Sequence, residues 1–249
     1  AGSSVQDAEG GRSIVSGRGA ISDVPFLPEV RIERDADALI AEYAQRCGAP
    51  VIAPVPVEDI LELHLGLTFA IEDLAALFGT DGVLGAIWFN EKLVRIDTRL
   101  DPSENPLRLG RYRFTLAHEI GHWRLHRTYY REDPSQAVLF DGRGQPAVVC
   151  RAGEKKIPVE WQADTFSSYL LMPKSLVVAA WTEWRGNLDP VILSDLPTVT
   201  VADGRDPADA TLDRFSKPLA ERFEVSAEAM RIRLEKLGLL LRERPNTLF

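Results

Sequence analysis

Apolar positions recur along this chain at two periods, near 3.6 and 2, and the switches between them outline its elements. From Ile32, the spacing of Ala36, Leu39, Ile40 and Tyr43 predicts an amphipathic helix ended near Gly48. Pro54 and Pro56 break the chain before a second helix over about 57–65. The segments 67–71, 85–89 and 93–97 are short and rich in β-branched and aromatic residues, and Asn90 and Glu91 split the last two as a hairpin turn does, so a small antiparallel sheet is expected. A helix over about 111–127 carries RYRFTLAHEIGHWRLHR, and a Gly- and Pro-containing loop follows through Pro158, long enough to suggest a function of its own. Pro158 suits a first helical turn and Pro173 a stop, which predicts a helix over 159–172 with Val159, Ala163, Phe166 and Leu170 turned inward. Residues 183–212 are acidic and Pro- and Gly-containing and read as an irregular insertion. The last helix starts at Ser226 as N-cap, with Met230, Leu234, Leu237 and Leu241 as its apolar stripe. Residues 1–27, rich in Gly, Ser and Asp, bury too little to offset ordering entropy and are expected to form a flexible tail. Helices with a few short strands make the expected class α+β, and no internal repeat is visible.

Composition narrows the function. With 249 residues, 45% of them hydrophobic, the chain can bury a full core without staples. Its net charge of −8 opposes a generic polyanion binder, because phosphate binding depends on clustered Lys and Arg. Strong nucleic-acid binding is therefore not expected. Cys47 and Cys150 are too few for a disulfide scaffold and too far apart for a CxxC pair, which suggests a reducing compartment. No apolar run reaches membrane-spanning length and the first residues lack a signal-peptide pattern, so the expected location is cytoplasmic, away from membranes.

The motif HEIGH at 118–122 places two imidazoles four positions apart, on one helix face and roughly 6 Å apart along the axis. His118 and His122 can then converge on one ion, a third protein ligand completing the set, while Glu119 beside them can take a proton from water. The motif lies among Leu116, Ala117, Ile120 and Trp123, so its surroundings are apolar. Gly121 costs about 1 kcal/mol relative to Ala in a helix interior, which implies that something approaches the backbone there, and a strand crossing the helix is expected. Glu160 and Asp164 repeat the i, i+4 spacing on the next helix, one suited to bind the metal and the other to accept the spare N–H of a ligand histidine. His126 is the rival third ligand, but three ligands nearly in line on one helix fit a tetrahedral ion poorly. It is read as a supporting or substrate-facing group. His64, alone near a helix end, is read as structural or exposed.

Together these residues resemble the ImmA/IrrE family of metallopeptidases over roughly 32–241. The resemblance rests on RFTLAHEIGHWRLH at 113–126, EWQADTFSSYLLMP at 160–173 and LAERFEVSAEAMRIRLEKLGL at 219–239. GAIWFNEKLVRID at 85–97 is similar to the hairpin before the family's active-site helix, and PVPVEDI at 54–60 to its N-terminal region. The resemblance implies a zincin-like catalytic domain, taken over 28–180, and residues 181–249 are read as the acidic insertion followed by a helical, helix-turn-helix-like C-terminal lobe. It implies zinc on His118, His122 and Glu160, with Glu119 as base. Manganese or another divalent ion is an alternative occupant, since affinity order alone does not decide loading in cells. The implied partner is a substrate, a helix-turn-helix transcriptional repressor whose cleavage releases stress, DNA-damage or mobile-element genes. The tail, the loop 132–158 and the acidic stretch 183–209 depart from the family pattern and leave substrate and regulation open.

Two other readings compete. The block 219–239 suggests a DNA-binding regulator contacting DNA through Arg231, Arg233 and Lys236, but Glu221, Glu224, Glu228 and Glu235 interrupt any basic face, which favours a helical pair packed on the catalytic domain. A metal-bound interaction module without turnover is opposed by the intact Glu119. For the donor that stabilises a developing oxyanion, Tyr129, Tyr130, His126 and Arg127 are available and unranked. An extended peptide is expected to dock along the sheet edge.

Overall fold

The structure, a computed structural model, describes residues 24–129, 148–151, 158–201 and 204–244. Helix α1 (Glu29–Cys47) buries Ile32, Ala36, Leu39 and Tyr43 and ends where Gly48, at φ 69°, turns the chain and donates its N–H to the Ala44 carbonyl. A short α2 (Val57–Asp59) runs on into a π-helical turn, Ile60–His64. Then come β1 (Thr68–Glu72), α3 (Leu74–Phe78), β2 (Val83–Trp88), β3 (Leu93–Asp97) and α4 (Leu109–His126). After them follow β4 (Val148–Arg151), α5 (Pro158–Leu171), α6 (Lys174–Arg185), β5 (Val191–Ile192), α7 (Pro207–Phe223), α8 (Ala227–Lys236) and β6 (Leu240–Leu241).

The fold is α+β, but its main sheet is mixed rather than antiparallel. Its order is β1-β3-β2-β4, with β2 antiparallel to both neighbours and β1 parallel to β3. The cause is the connection through α3, capped by the Asp73 carboxylate accepting from the Ala76 N–H. That helix reverses the chain and carries it past the width of one strand. The hairpin then reverses it again, so β3 returns in the direction of β1 and fills the gap. β5 and β6 form a separate parallel pair.

Helix α4 lies between layers, with β2 and β3 on one side and α5 on the other, and α5 in turn packs on α1. Burial on both faces explains why α4 lacks a one-sided stripe: Tyr112, Leu116, Ala117, Ile120 and Trp123 are all buried, and so are its polar Thr115, His118, Glu119, His122 and His126. The element approaching Gly121 is α5, not the expected strand. A Cβ there would lie 3.2 Å from the Ala163 carbonyl oxygen and 3.3 Å from the Phe166 Cβ. A glycine is needed at this crossing because helix backbones meet there, and the close approach sets residues 118 and 122 against 160 and 164.

Other expectations shift in detail. Pro173 ends α5, but it is also the N-cap of α6, whose Val177, Ala180 and Trp181 enter the core. The stretch read as irregular narrows to 186–206 around β5, because α6 runs to Arg185 and α7 begins at Pro207 with Asp206 as its cap. β4 lies within the expected loop; most of that loop, and residues 1–23 of the expected tail, lie outside the described residues. Residues 24–28 lead into α1 along α5, where Phe26 stacks on Trp161 with ring centroids 5.7 Å apart. At the C-terminal end, α7 and α8 pack together, the Ser226 hydroxyl caps α8 by accepting from Ala229 N–H, and the same core cluster runs from Ile32 to Leu240. No described helix is long and apolar enough to cross a membrane.

Candidate metal centre

On α4 the imidazoles of His118 and His122 share a face, their ring centroids 4.6 Å apart, and α5 brings Glu160 and Asp164 against them. His118 Nδ1 is 2.9 Å from the Asp164 carboxylate. A carboxylate only accepts, so Nδ1 carries the proton and Nε2 is left with a bare lone pair. His122 Nδ1 faces His126 Nδ1 at 3.0 Å, and His126 Nε2 faces Gln162 Oε1 at 3.0 Å. Burial, with His122 adding to it, pushes His126 down to about 4, so its ring is neutral. Burial likewise lowers His122.

The two Nε2 atoms of His118 and His122 stand 2.9 Å apart, and Glu160 presents its oxygens 3.2 Å from the first and 3.5 Å from the second. Three acceptors thus converge on one point. A proton can bridge two of them; a metal ion satisfies all three together. A tetrahedral ion with arms of about 2.0–2.2 Å sets its ligand atoms about 3.3–3.6 Å apart, close to the separations present. The donor set, two imidazoles and one carboxylate, is of the kind that zinc takes in sites where water completes the coordination.

Glu119 is fully buried beside this cluster, and neither carboxylate oxygen has a hydrogen-bond partner among the described residues. Burial, reinforced by the charge of Glu160 and only partly offset by His118, raises it to about 8. Its carboxylate lies against β2: a Cβ at Gly85 would come within 2.6 Å of Glu119 Oε1 and 2.7 Å of Thr115 Cγ2. Gly85→Ala is therefore expected to destabilise the protein by about 1–3 kcal/mol, the usual cost of overpacking, and to displace the Glu119 side chain. Urea unfolding reads the first effect as a lower midpoint at unchanged slope.

The remaining candidates fall outside the cluster. Arg127 lies over the Trp123 ring at 5.2 Å, Tyr129 is exposed, His126 is engaged as above, and Tyr130 lies outside the described residues. His64 pairs with Glu42 at 3.3 Å. Of the proposed DNA contacts, Arg231 is buried and paired with Asp213 and Glu235, Arg233 is buried and bonded to the Met172 carbonyl and Glu33, and Lys236 pairs with Glu29. Gln162 and Gly85 were not singled out from the sequence. Gln162 had a legible signal, being a polar residue three past Val159 and four before Phe166, on the apolar stripe itself.

Residues 102–235 match the family model described as Peptidase M78, IrrE N-terminal-like domain. No curated protein matches the chain. Among solved structures, a Mycobacterium tuberculosis transcriptional regulator is similar at 14% identity and a TM-score of 0.42, over 88% of this chain and 57% of that one, so this chain spans little more than half of that structure's length. The family match covers more than half of the sequence and takes in both α4 and α5, and the chain belongs to the IrrE N-terminal-like family of peptidases.

Proposed function

We propose that this chain is a zinc-dependent endopeptidase that cuts a helix-turn-helix transcriptional repressor, with His118, His122 and Glu160 as metal ligands and Glu119 as general base. The observation that carries the reading is the convergence of three buried or half-buried acceptors whose other bonds leave no proton between the two imidazole nitrogens. Zinc supplies Lewis acidity at such a site, acidifying water and polarising a carbonyl oxygen. Manganese or another divalent ion would supply the same chemistry. Glu119 is buried and has no hydrogen-bond partner among the described residues, and burial raises it to about 8, so its deprotonated form is a stronger base than an ordinary carboxylate. It accepts the proton of the attacking water, the water oxygen bonds to the scissile carbon, and as the C–N bond breaks the same proton passes to the leaving amine. Asp164 orients His118 by accepting its Nδ1–H.

Selectivity for one protein is part of the proposal. An extended peptide on a sheet edge gains backbone bonds that ignore sequence, so discrimination must come from side-chain pockets or a second contact surface. Strong nucleic-acid binding is not expected, since Arg231, Arg233 and Lys236 are already paired internally. The test incubates wild type and Glu119→Gln with casein and with a helix-turn-helix repressor encoded beside this chain, with and without a chelator. One chelator-sensitive cut in the repressor, absent with Glu119→Gln, is the expected result. Efficient casein digestion with an intact repressor would overturn it.

A further inference from the structure

We infer that Gln162 is a positioning residue of the metal centre: anchored on the Pro25 carbonyl, its amide orients His126, and His126 fixes His122 in the tautomer whose Nε2 lone pair points at the ion. This rests on the metal-site reading proposed above. Gln162 Nε2 lies 3.0 Å from the Pro25 carbonyl oxygen, its Oε1 3.0 Å from His126 Nε2, and His126 Nδ1 3.0 Å from His122 Nδ1. The direction of every link follows from the first. A peptide carbonyl only accepts, so the NH2 end of the amide faces Pro25 and the oxygen faces His126. That oxygen only accepts, so His126 Nε2 carries the proton, and in a neutral ring Nδ1 is bare. His122 Nδ1–H then donates to it, which leaves His122 Nε2 free to bind metal.

Gln162, His126 and His122 are each fully buried, so water cannot replace a missing member of the relay. The two ligand histidines are thus supported differently. His118 is held by one carboxylate, whereas His122 depends on three groups ending at a backbone carbonyl ahead of α1. Phe26, next to that carbonyl, stacks on Trp161, next to both Gln162 and Glu160, which keeps the segment in place. Residues 24–28, ahead of the first helix, therefore belong to the metal centre.

The test compares Gln162→Leu and Gln162→Glu with wild type in the full-length chain. Zinc affinity is measured by competition with a chromophoric chelator, and the histidine tautomers by long-range 1H–15N spectra of the metal-free proteins. Leucine removes the acceptor for His126, so zinc affinity should fall by about 10–100-fold and the Nδ1–H signature of His122 should be lost or mixed. Glutamate, protonated in this buried site, donates its O–H to the Pro25 carbonyl and keeps an accepting oxygen facing His126 Nε2, so it should stay closer to wild type in both readouts. A mere packing role predicts the reverse order, because leucine suits an apolar site of this size whereas glutamate buries a polar carboxyl there. Leucine matching or exceeding glutamate in affinity, or an unchanged His122 signature in the leucine variant, overturns the relay alone. A wild type that binds no zinc overturns the metal reading beneath it.

Discussion

Glu119→Gln is expected to leave zinc binding unchanged while lowering peptide hydrolysis by about 10²–10⁴-fold, the span a positioned general base contributes. The amide keeps the shape of the side chain in its slot against Gly85 but cannot accept a proton from water. Hydrolysis of the proposed repressor substrate, measured with zinc content on the same samples, separates loss of chemistry from loss of metal. The same substitution has a second signature in chelator-stripped protein. In the fold the Glu119 carboxyl holds its proton up to about 8, whereas its ordinary value is 4.5, so between these values the folded state binds more protons than the unfolded one. Stability therefore falls as pH rises through that window, its contribution fully present below the lower value and lost above the upper. Thermal unfolding between about pH 7 and 8, above the range where histidines ordinarily titrate, should show this decline in wild type and a flatter profile in Glu119→Gln. Equal slopes would mean that Glu119 does not titrate in the buried state.

Glu160→Ala is expected to take the chain from one zinc to none after dialysis, with most of the fold retained. Without the carboxylate, the two Nε2 atoms 2.9 Å apart are the only ligand atoms of the cluster left among the described residues. His118→Ala should act alike. Asp164→Asn should weaken affinity or activity by only about 10–100-fold, since it disturbs the partner of a ligand rather than a ligand. Metal analysis of purified variants decides this. Full zinc in Glu160→Ala together with zinc loss in His126→Ala would show that the ligand set is wrong, and an unaffected Asp164→Asn would reduce that residue to a surface charge.

Much of this arrangement was legible in the sequence because it is carried by local spacing. His118 and His122 on one helix face, Glu160 and Asp164 on the next, and the caps at Gly48 and Ser226 follow from i, i+4 geometry and turn chemistry. What escaped depends on contacts between distant residues. Gly121 announced a close approach, but its composition alone did not distinguish a strand from the helix that fills the position. Strand direction in β1 depends on how far α3 carries the chain, which no residue in β1 encodes. α6 leaves no separate start signal in the sequence because Pro173 serves two helices, ending one and starting the other. The Gln162 relay closes on a carbonyl 137 positions away, beyond the reach of any local pattern.

The central claim, one metal ion held by His118, His122 and Glu160, is tested most directly by anomalous scattering at the zinc edge from zinc-soaked crystals of the full-length chain. The account predicts a single strong peak within about 2.0–2.2 Å of His118 Nε2, His122 Nε2 and one Glu160 oxygen, with His126 outside the coordination sphere. A peak coordinated by His126 in place of Glu160, or no peak among the three, would contradict it.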